Sequence, residues 1–201
     1  MKEDRFKNKK RFNPRYYLLV MFIIFSFFYP AKIHGLNLSF GLGAGYRQIN
    51  DNYLNQIYGS GLVFIAYMQV DLTKFFSTEI SYEGGYKKRA PIGLYQEPSI
   101  LKISGIEISN GLSWRLNRLT PYVKLGAGYY FYRQDIESPY ARYRVNHRHI
   151  SWHGGSGFRF NLNSKFFIQA EFKYVFLKVK PFDFEVDLGG GRYILLFGFK
   201  I

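Results

Sequence analysis

From Leu36 to Ile201 the chain alternates apolar residues with small or polar ones, in eight separate runs. The first run carries Leu36, Leu38, Phe40, Leu42, Ala44 and Tyr46 at one parity, and Asn37, Ser39, Gly41, Gly43 and Gly45 at the other. Successive side chains of an extended chain point to opposite faces, so the pattern predicts a strand with one greasy and one small, polar face. The same alternation predicts strands over 62–70, 76–86, 106–114, 123–131, 150–160, 168–176 and 193–201. Asp71, Glu79, Glu83, Glu107, Arg115, Lys124, Arg159, Glu171, Lys173 and Lys200 all fall at the polar parity of these runs.

Alternation does not say which face is inside. A soluble barrel or sandwich turns the apolar face inward, whereas a membrane barrel turns it toward lipid and keeps the polar face for the lumen. Three features select the second arrangement. The polar face is rich in small residues (Gly41, Gly43, Gly45, Ser77, Ser81, Gly111, Gly126, Gly128, Gly155, Gly157), which suit a narrow interior better than a wetted surface. Aromatic residues gather near strand ends, with Tyr46, Tyr86, Tyr129 and Phe131 at one end and Phe76, Trp114, Phe158 and Phe160 at the other, as two interfacial girdles would. The connections alternate between short turns (72–75, 116–121, 161–165) and long loops (47–60, 87–100, 132–148, 178–191). Eight strands with both termini on the periplasmic side need that number of each. A sheet in lipid must also close on itself, because no water is present to satisfy an edge.

Composition adds a compartment. The 201 residues include no cysteine, which excludes a disulfide framework, a cysteine zinc site and a thiol nucleophile. The 21 Phe and 18 Tyr exclude a disordered chain. Of the formal net charge of +14, an outsized share lies in residues 1–35, which hold eight Lys/Arg against two Asp/Glu. That segment has a basic start, the apolar run Tyr16–Tyr29, then Pro30 and Ile33-His34-Gly35. It reads as a signal peptide cleaved after Gly35, since the apolar run is shorter than the ~20 residues a membrane helix needs. The expected organisation is therefore a leader over 1–35 and a barrel domain over 36–201.

The stretches GLGAGY (41–46), VDLTKFFSTEISYEGGY (70–86) and TPYVKLGAGYY (120–130), with the closing RYILLFGFKI, carry a resemblance. The mature chain resembles the eight-stranded outer-membrane β-barrels of OmpA/OmpX type. The resemblance implies an all-β, antiparallel, up-and-down transmembrane barrel in a bacterial outer membrane, monomeric and contacting lipopolysaccharide. Tyr193, Leu195, Phe197, Phe199 and Ile201 are similar to the C-terminal signal that the barrel assembly machinery reads, with Ile201 standing where the family usually has Phe or Trp.

The candidate chemistry is modest. Glu79, Glu83, Glu107 and Glu171 are expected to pair with Arg115, Lys124, Arg159, Lys173 and Lys200 across a lumen that side chains fill; the alternative is a narrow ion path. Rim cations Lys87, Lys88, Arg89, Arg142, Arg144 and Arg148 could hold lipopolysaccharide phosphates. His149-Ile150-Ser151 is similar to the His-x-Ser motif of outer-membrane lipid A deacylases, but Trp152 stands where that family has Asn and no carboxylate is evident to orient the histidine. His147 and His149 could share a metal ion but lack a third ligand, and His153 is too far along the strand. No cofactor motif is present, and export argues against nucleic acid. The expected function is a structural, surface-exposed barrel with four outward loops. A surface adhesin or ligand binder acting through loops 87–100 and 132–148 is the alternative, ahead of a lipid A-modifying enzyme or a narrow porin.

Overall fold

The computed structural model describes residues 37–201 except Leu94, 139–141 and 181–184. The expected leader and its cut site lie outside these residues. Among the described residues ten strands form: β1 (Asn37–Arg47), β2 (Gly61–Asp71), β3 (Phe76–Ile92), β4 (Glu97–Ser113), β5 (Leu119–Glu137), β6 (Arg142–Asn161), β7 (Phe166–Phe176), β8 (Lys178–Val179), β9 (Val186–Asp187) and β10 (Gly190–Lys200). A helix, α1 (Asn52–Tyr58), sits between β1 and β2. Asp51 caps it, its carboxylate accepting from the Leu54 amide at 3.0 Å.

Eight of the strands close an antiparallel barrel in the order β1–β2–β3–β4–β5–β6–β7–β10, and β10 returns to β1. The closing register runs from Ser39 opposite Lys200 to Arg47 opposite Arg192. No edge is left within the barrel, as lipid requires. The pair β8–β9 is a small separate ribbon.

The apolar parity faces out. Phe64 is 62% exposed, Ile80 47%, Leu112 46% and Phe197 52%, whereas Glu79, Glu107 and Glu171 are 6%, 2% and 5% exposed. Along β6 the outward apolar residues run from Ile150 to Phe160. At ~3.4 Å per residue and a tilt of ~40° this band is ~26 Å tall, close to the ~25 Å apolar belt of a bilayer-spanning barrel. Such a belt cannot be left in water, so the barrel spans a membrane.

The small residues act as expected where rings must enter the lumen. A Cβ on Gly41 would lie 2.2 Å from the Tyr67 ring, and one on Gly198 would lie 2.2 Å from the Phe167 ring. Both glycines therefore admit a buried aromatic residue from a neighbouring strand.

Three sequence expectations are corrected. The segments 87–100 and 132–148 are not long loops: β3–β4 and β5–β6 continue well past the belt as paired strands, as far as Ile92 opposite Glu97 and Glu137 opposite Arg142. Tyr86 is not in a girdle but 2% exposed inside the barrel. The cause is a bulge in which Gly84 and Gly85 together oppose Ser104, with Gly85 at φ +88°. One extra residue flips the parity of everything beyond it. The interior is also not wholly polar, because Val63, Ile65 and Tyr67 of β2 and Ile194 and Leu196 of β10 line it.

Candidate functional site

Three layers stack inside the barrel. At the end with the short turns, Arg115 meets Asp71 at 2.9 Å, with Arg115 half exposed at the mouth. Lys200 reaches Asn161 at 2.5 Å. Arg159 donates to Gln69 at 2.7 Å and Gln169 at 3.1 Å, and its guanidinium lies 4.3 Å from the centre of the Phe167 ring. Neither Arg159 nor Lys200 has a carboxylate partner among the described residues. Their expected place in an ion-pair network is thus corrected: glutamines, an asparagine and an aromatic face take the role. Arg115 pairs, but with Asp71 at the rim, because it lies beyond the last residue of β4.

The middle layer is the ion network proper. Lys124 bridges Glu79 at 2.7 Å and Glu171 at 2.9 Å. Lys173 bridges Glu107 at 2.7 Å and Glu83 at 3.1 Å. Glu83 also accepts from Arg47 at 3.1 Å and from Arg192 at 3.1 Å, and Tyr130 donates to Glu107. Arg47 and Arg192, both 0% exposed, are central here, yet neither is among the charges that the alternation assigns to the lumen. Their signal was present. Extending the parity of Tyr46 and Tyr193 by one residue toward the long connections turns both arginines inward.

The third layer closes the other end. Ile49, Leu101, Ile103, Tyr132, Leu177, Val179 and Leu188 form a buried apolar plug with Tyr58 of α1. Tyr58 is fixed by Ser99 at 2.7 Å and by Gln134 at 2.8 Å. Helix α1 and the β8–β9 ribbon supply this lid. Above the belt, β3–β6 keep their apolar residues inside and turn charge outward, the arrangement of a soluble sheet.

The histidines do not assemble a site. Ser151 donates to the Gly128 carbonyl at 3.4 Å and is not paired with His149. The His147 and His149 rings lie 6.0 Å apart, with His147 stacked on Tyr132. His153 instead bonds Ser109 at 2.8 Å, with Glu107 at 3.9 Å, deep in the lumen. Ser109, Glu107 and His153 are each at most 2% exposed. Among the described residues no group of three or more His, Cys, Asp or Glu has metal-holding geometry.

No protein-family model and no curated protein matches the sequence. Solved structures do match. The outer-membrane protein OprG of Pseudomonas aeruginosa superposes with a TM-score of 0.69 at 14% identity, over 83% of this chain and 96% of that one. The N-terminal β-barrel domain of OprF from the same organism gives 0.55 at 15% identity, over 84% and 100%. Ail of Yersinia pestis, solved with the heparin analogue sucrose octasulfate, gives 0.54 at 16%, over 83% and 99%. The chain has the fold of the eight-stranded outer-membrane β-barrels.

The vestibule of Arg115, Arg159 and Lys200 opens at the short-turn end of the barrel, and the apolar lid closes the long-connection end. Tyr193, Leu195, Phe197 and Phe199 lie on the lipid face of β10, with Ile201 just past its end and 74% exposed. Of the rim cations, Lys87 and Arg89 point outward on β3, but the bulge turns Lys88 inward. Arg142, Arg144 and Arg148 point outward on β6. They are joined by Lys102 and Arg133, and Lys102 was hidden to pattern reading because it precedes the alternating run of β4.

Proposed function

We propose that this chain is a structural outer-membrane barrel with a sealed lumen, which acts through its external face. The observation that carries the reading is the double closure of the interior. The ion network fills the middle, and the apolar plug under α1 and the β8–β9 ribbon blocks the external end. An eight-stranded lumen has room for side chains and little else. The purified, folded barrel in planar bilayers is expected to show no unitary conductance; discrete channel steps would overturn the reading. An unboiled sample should migrate faster than a boiled one on a gel, as a closed barrel that resists detergent does. The separation of His149 from Ser151 and the enclosure of Ser109 and His153 support a non-enzymatic role. The outward face of β10 is read as the assembly signal, and Phe199→Asp should leave unfolded chain in the periplasm.

A second reading, attachment to a ligand, rests on the tips. Tyr53, Tyr95 and Tyr143 are 66%, 87% and 57% exposed at the external connections. Exposed tyrosines on a rigid scaffold are typical contact residues. Replacing the three with Ala should abolish cell or glycan attachment while the gel shift persists; unchanged attachment would remove this reading.

A further inference from the structure

The charges at the short-turn end of the lumen do not balance. Arg115 and Asp71 make one pair at 2.9 Å. Lys124 serves two carboxylates, Glu79 at 2.7 Å and Glu171 at 2.9 Å. Arg159 and Lys200 have no carboxylate within ion-pair distance among the described residues. Four cations thus face three carboxylates, which leaves one positive charge unanswered. The excess centres on Arg159, which is only 7% exposed. Its Nε and Nη2 are engaged with neutral oxygens: Gln169 accepts from both at 3.1 Å, and Gln69 and the Tyr67 hydroxyl accept from Nη2 at 2.7 Å and 3.5 Å. The glutamines are held oxygen-first toward Arg159 because their nitrogens donate to carboxylates, Gln69 to Asp71 at 2.8 Å and Gln169 to Glu171 at 3.4 Å. Those two carboxylates already belong to Arg115 and Lys124. Nη1 of Arg159 makes no hydrogen bond among the described residues. A buried charge is costly unless it is paired, and neutral amides do not supply the pair.

The same residues leave room for an ion. Arg159, Lys200, Arg115 and Thr120 help to line a cavity of about 30 Å³, the space of about two waters. Arg159 and Lys200 both stand over the Phe167 ring, at 4.3 Å and 5.7 Å from its centre, so the two unpaired cations share one neighbour. Asn161 gathers the other donors. Its Oδ1 accepts from Lys200 at 2.5 Å, and its Nδ2 donates to the Thr120 hydroxyl at 3.5 Å. That oxygen accepts, which leaves its hydrogen to donate. Thr120 in turn lies directly opposite Arg159 across β5 and β6. Nη1 of Arg159, Nζ of Lys200 and the Thr120 hydroxyl are thus three donors around one cavity. Arg159 offers a single free nitrogen and not a two-pronged fork, so the geometry suits a small spherical acceptor better than a planar or tetrahedral oxyanion. One excess charge calls for a monoanion.

We propose that this vestibule binds one halide ion, chloride being the natural occupant, through Arg159, Lys200 and Thr120. The ion stands where a carboxylate would otherwise answer Arg159. It enters at the short-turn mouth, beside the half-exposed Arg115. The bridges of Lys124 and Lys173 and the apolar plug beyond them close the far side. The site is therefore blind-ended, and the ion enters and leaves by one mouth without crossing the barrel. Its three donors come from β5, β6 and β10, so the bound ion ties the three strands together.

The test is urea unfolding of the full folded barrel in uncharged maltoside micelles, with sodium chloride exchanged for sodium gluconate at constant ionic strength. Gluconate is too large for the cavity. An ion that binds only the folded barrel lowers the unfolding constant by one plus the ratio of its concentration to its dissociation constant. Wild type should follow that single-site curve and unfold about fivefold less readily, or better, at the chloride end. N161D places a carboxylate against Lys200 and Thr120; it should keep the gel shift of wild type and unfold alike in the two salts. R159Q removes the excess charge and should lose the chloride response as well; if it fails to fold, N161D decides. Crystals grown in bromide should show an anomalous peak beside Arg159 and Lys200 in wild type and none there in N161D. Equal unfolding of wild type in the two salts, a chloride response retained in N161D, or bromide confined to the outer wall would overturn the proposal. So would phosphate that stabilises wild type more than chloride does at equal ionic strength, which would assign the vestibule to an oxyanion.

Discussion

Glu83→Ala is the sharpest perturbation of the lumen. The carboxylate is 1% exposed and stands within 3.1 Å of Arg47, Arg192 and Lys173. Lys173 retains Glu107 at 2.7 Å. Arg47 and Arg192 lose their only carboxylate among the described residues, and the two lie directly opposite each other across β1 and β10. Breaking one buried ion pair costs about 3–5 kcal/mol, because the remaining charge stays buried. Two stranded guanidiniums side by side put the expected loss at the upper end, ~5 kcal/mol, or roughly three to four decades in the unfolding equilibrium. The assay is urea unfolding of the barrel in micelles, followed by gel mobility and by fluorescence of Trp114 and Trp152. A companion variant, R47M/E83M/R192M, replaces the whole cluster with apolar side chains and should recover most of the loss, since removing a buried network entirely is often neutral. A cost below ~1 kcal/mol for Glu83→Ala would refute the reasoning. It would mean that water screens this layer as it screens surface pairs.

Other substitutions probe the wall and the external sheet. Gly198→Val would place its Cβ 2.2 Å from the Phe167 ring and 2.6 Å from the Phe40 carbonyl, and should cost about 1–3 kcal/mol by overpacking, read by the same urea titration. Gly85→Val puts a branched residue at φ +88° and its Cβ 2.6 Å from the Phe64 ring. About 1–3 kcal/mol of strain should speed amide exchange across Tyr86–Ile92 while the belt amides stay protected. Burial works against ionisation of Asp135, but hydrogen bonds from Arg144 and Arg133 outweigh it and hold the carboxyl below its usual 3.8. A depressed acid contributes stability above its unfolded pKa and loses it as pH falls, so the β5–β6 hairpin should loosen only below about pH 4. Amide exchange at pH 5 and pH 3 checks this, and loosening between pH 7 and pH 5 would contradict it.

The wall was legible because lipid imposes one rule at every position of a strand. Leu62 through Val70, or Tyr193 through Phe199, needed only parity to be placed. The charges were placed by the same rule, and it put Lys124 and Lys173 where the bridges are. Arg47 and Arg192 escaped because the runs were ended at Tyr46 and Tyr193, where aromatic residues mark an interface but not the end of hydrogen bonding. The external sheet escaped for a deeper reason. Past Ile106 and Phe131 the environment changes from acyl chain to water, so Leu101, Ile103 and Tyr132 turn inward while Lys102 and Arg133 turn outward. A search for one alternating sense reads that exchange as a loss of pattern, hence as loop. The bulge at Gly84–Gly85 is a tertiary fact with only a Gly-Gly dipeptide to announce it. Pairings among Lys173, Glu83 and Glu107 depend on stagger between non-adjacent strands, which no single run encodes.

Two of the connections are short in sequence and join long ribbons paired to their ends, Ile92 opposite Glu97 and Glu137 opposite Arg142. Their height can therefore change only in matched steps. Adding one residue to each arm raises a tip by ~3.4 Å but swaps inward and outward side chains above the insertion, whereas adding two to each arm restores the facing. Insertions that fall in the connections themselves leave all facing intact. Variation, foreign epitopes and protease nicks should accordingly collect at 93–96 and 138–141, and length differences along the arms should come in even numbers.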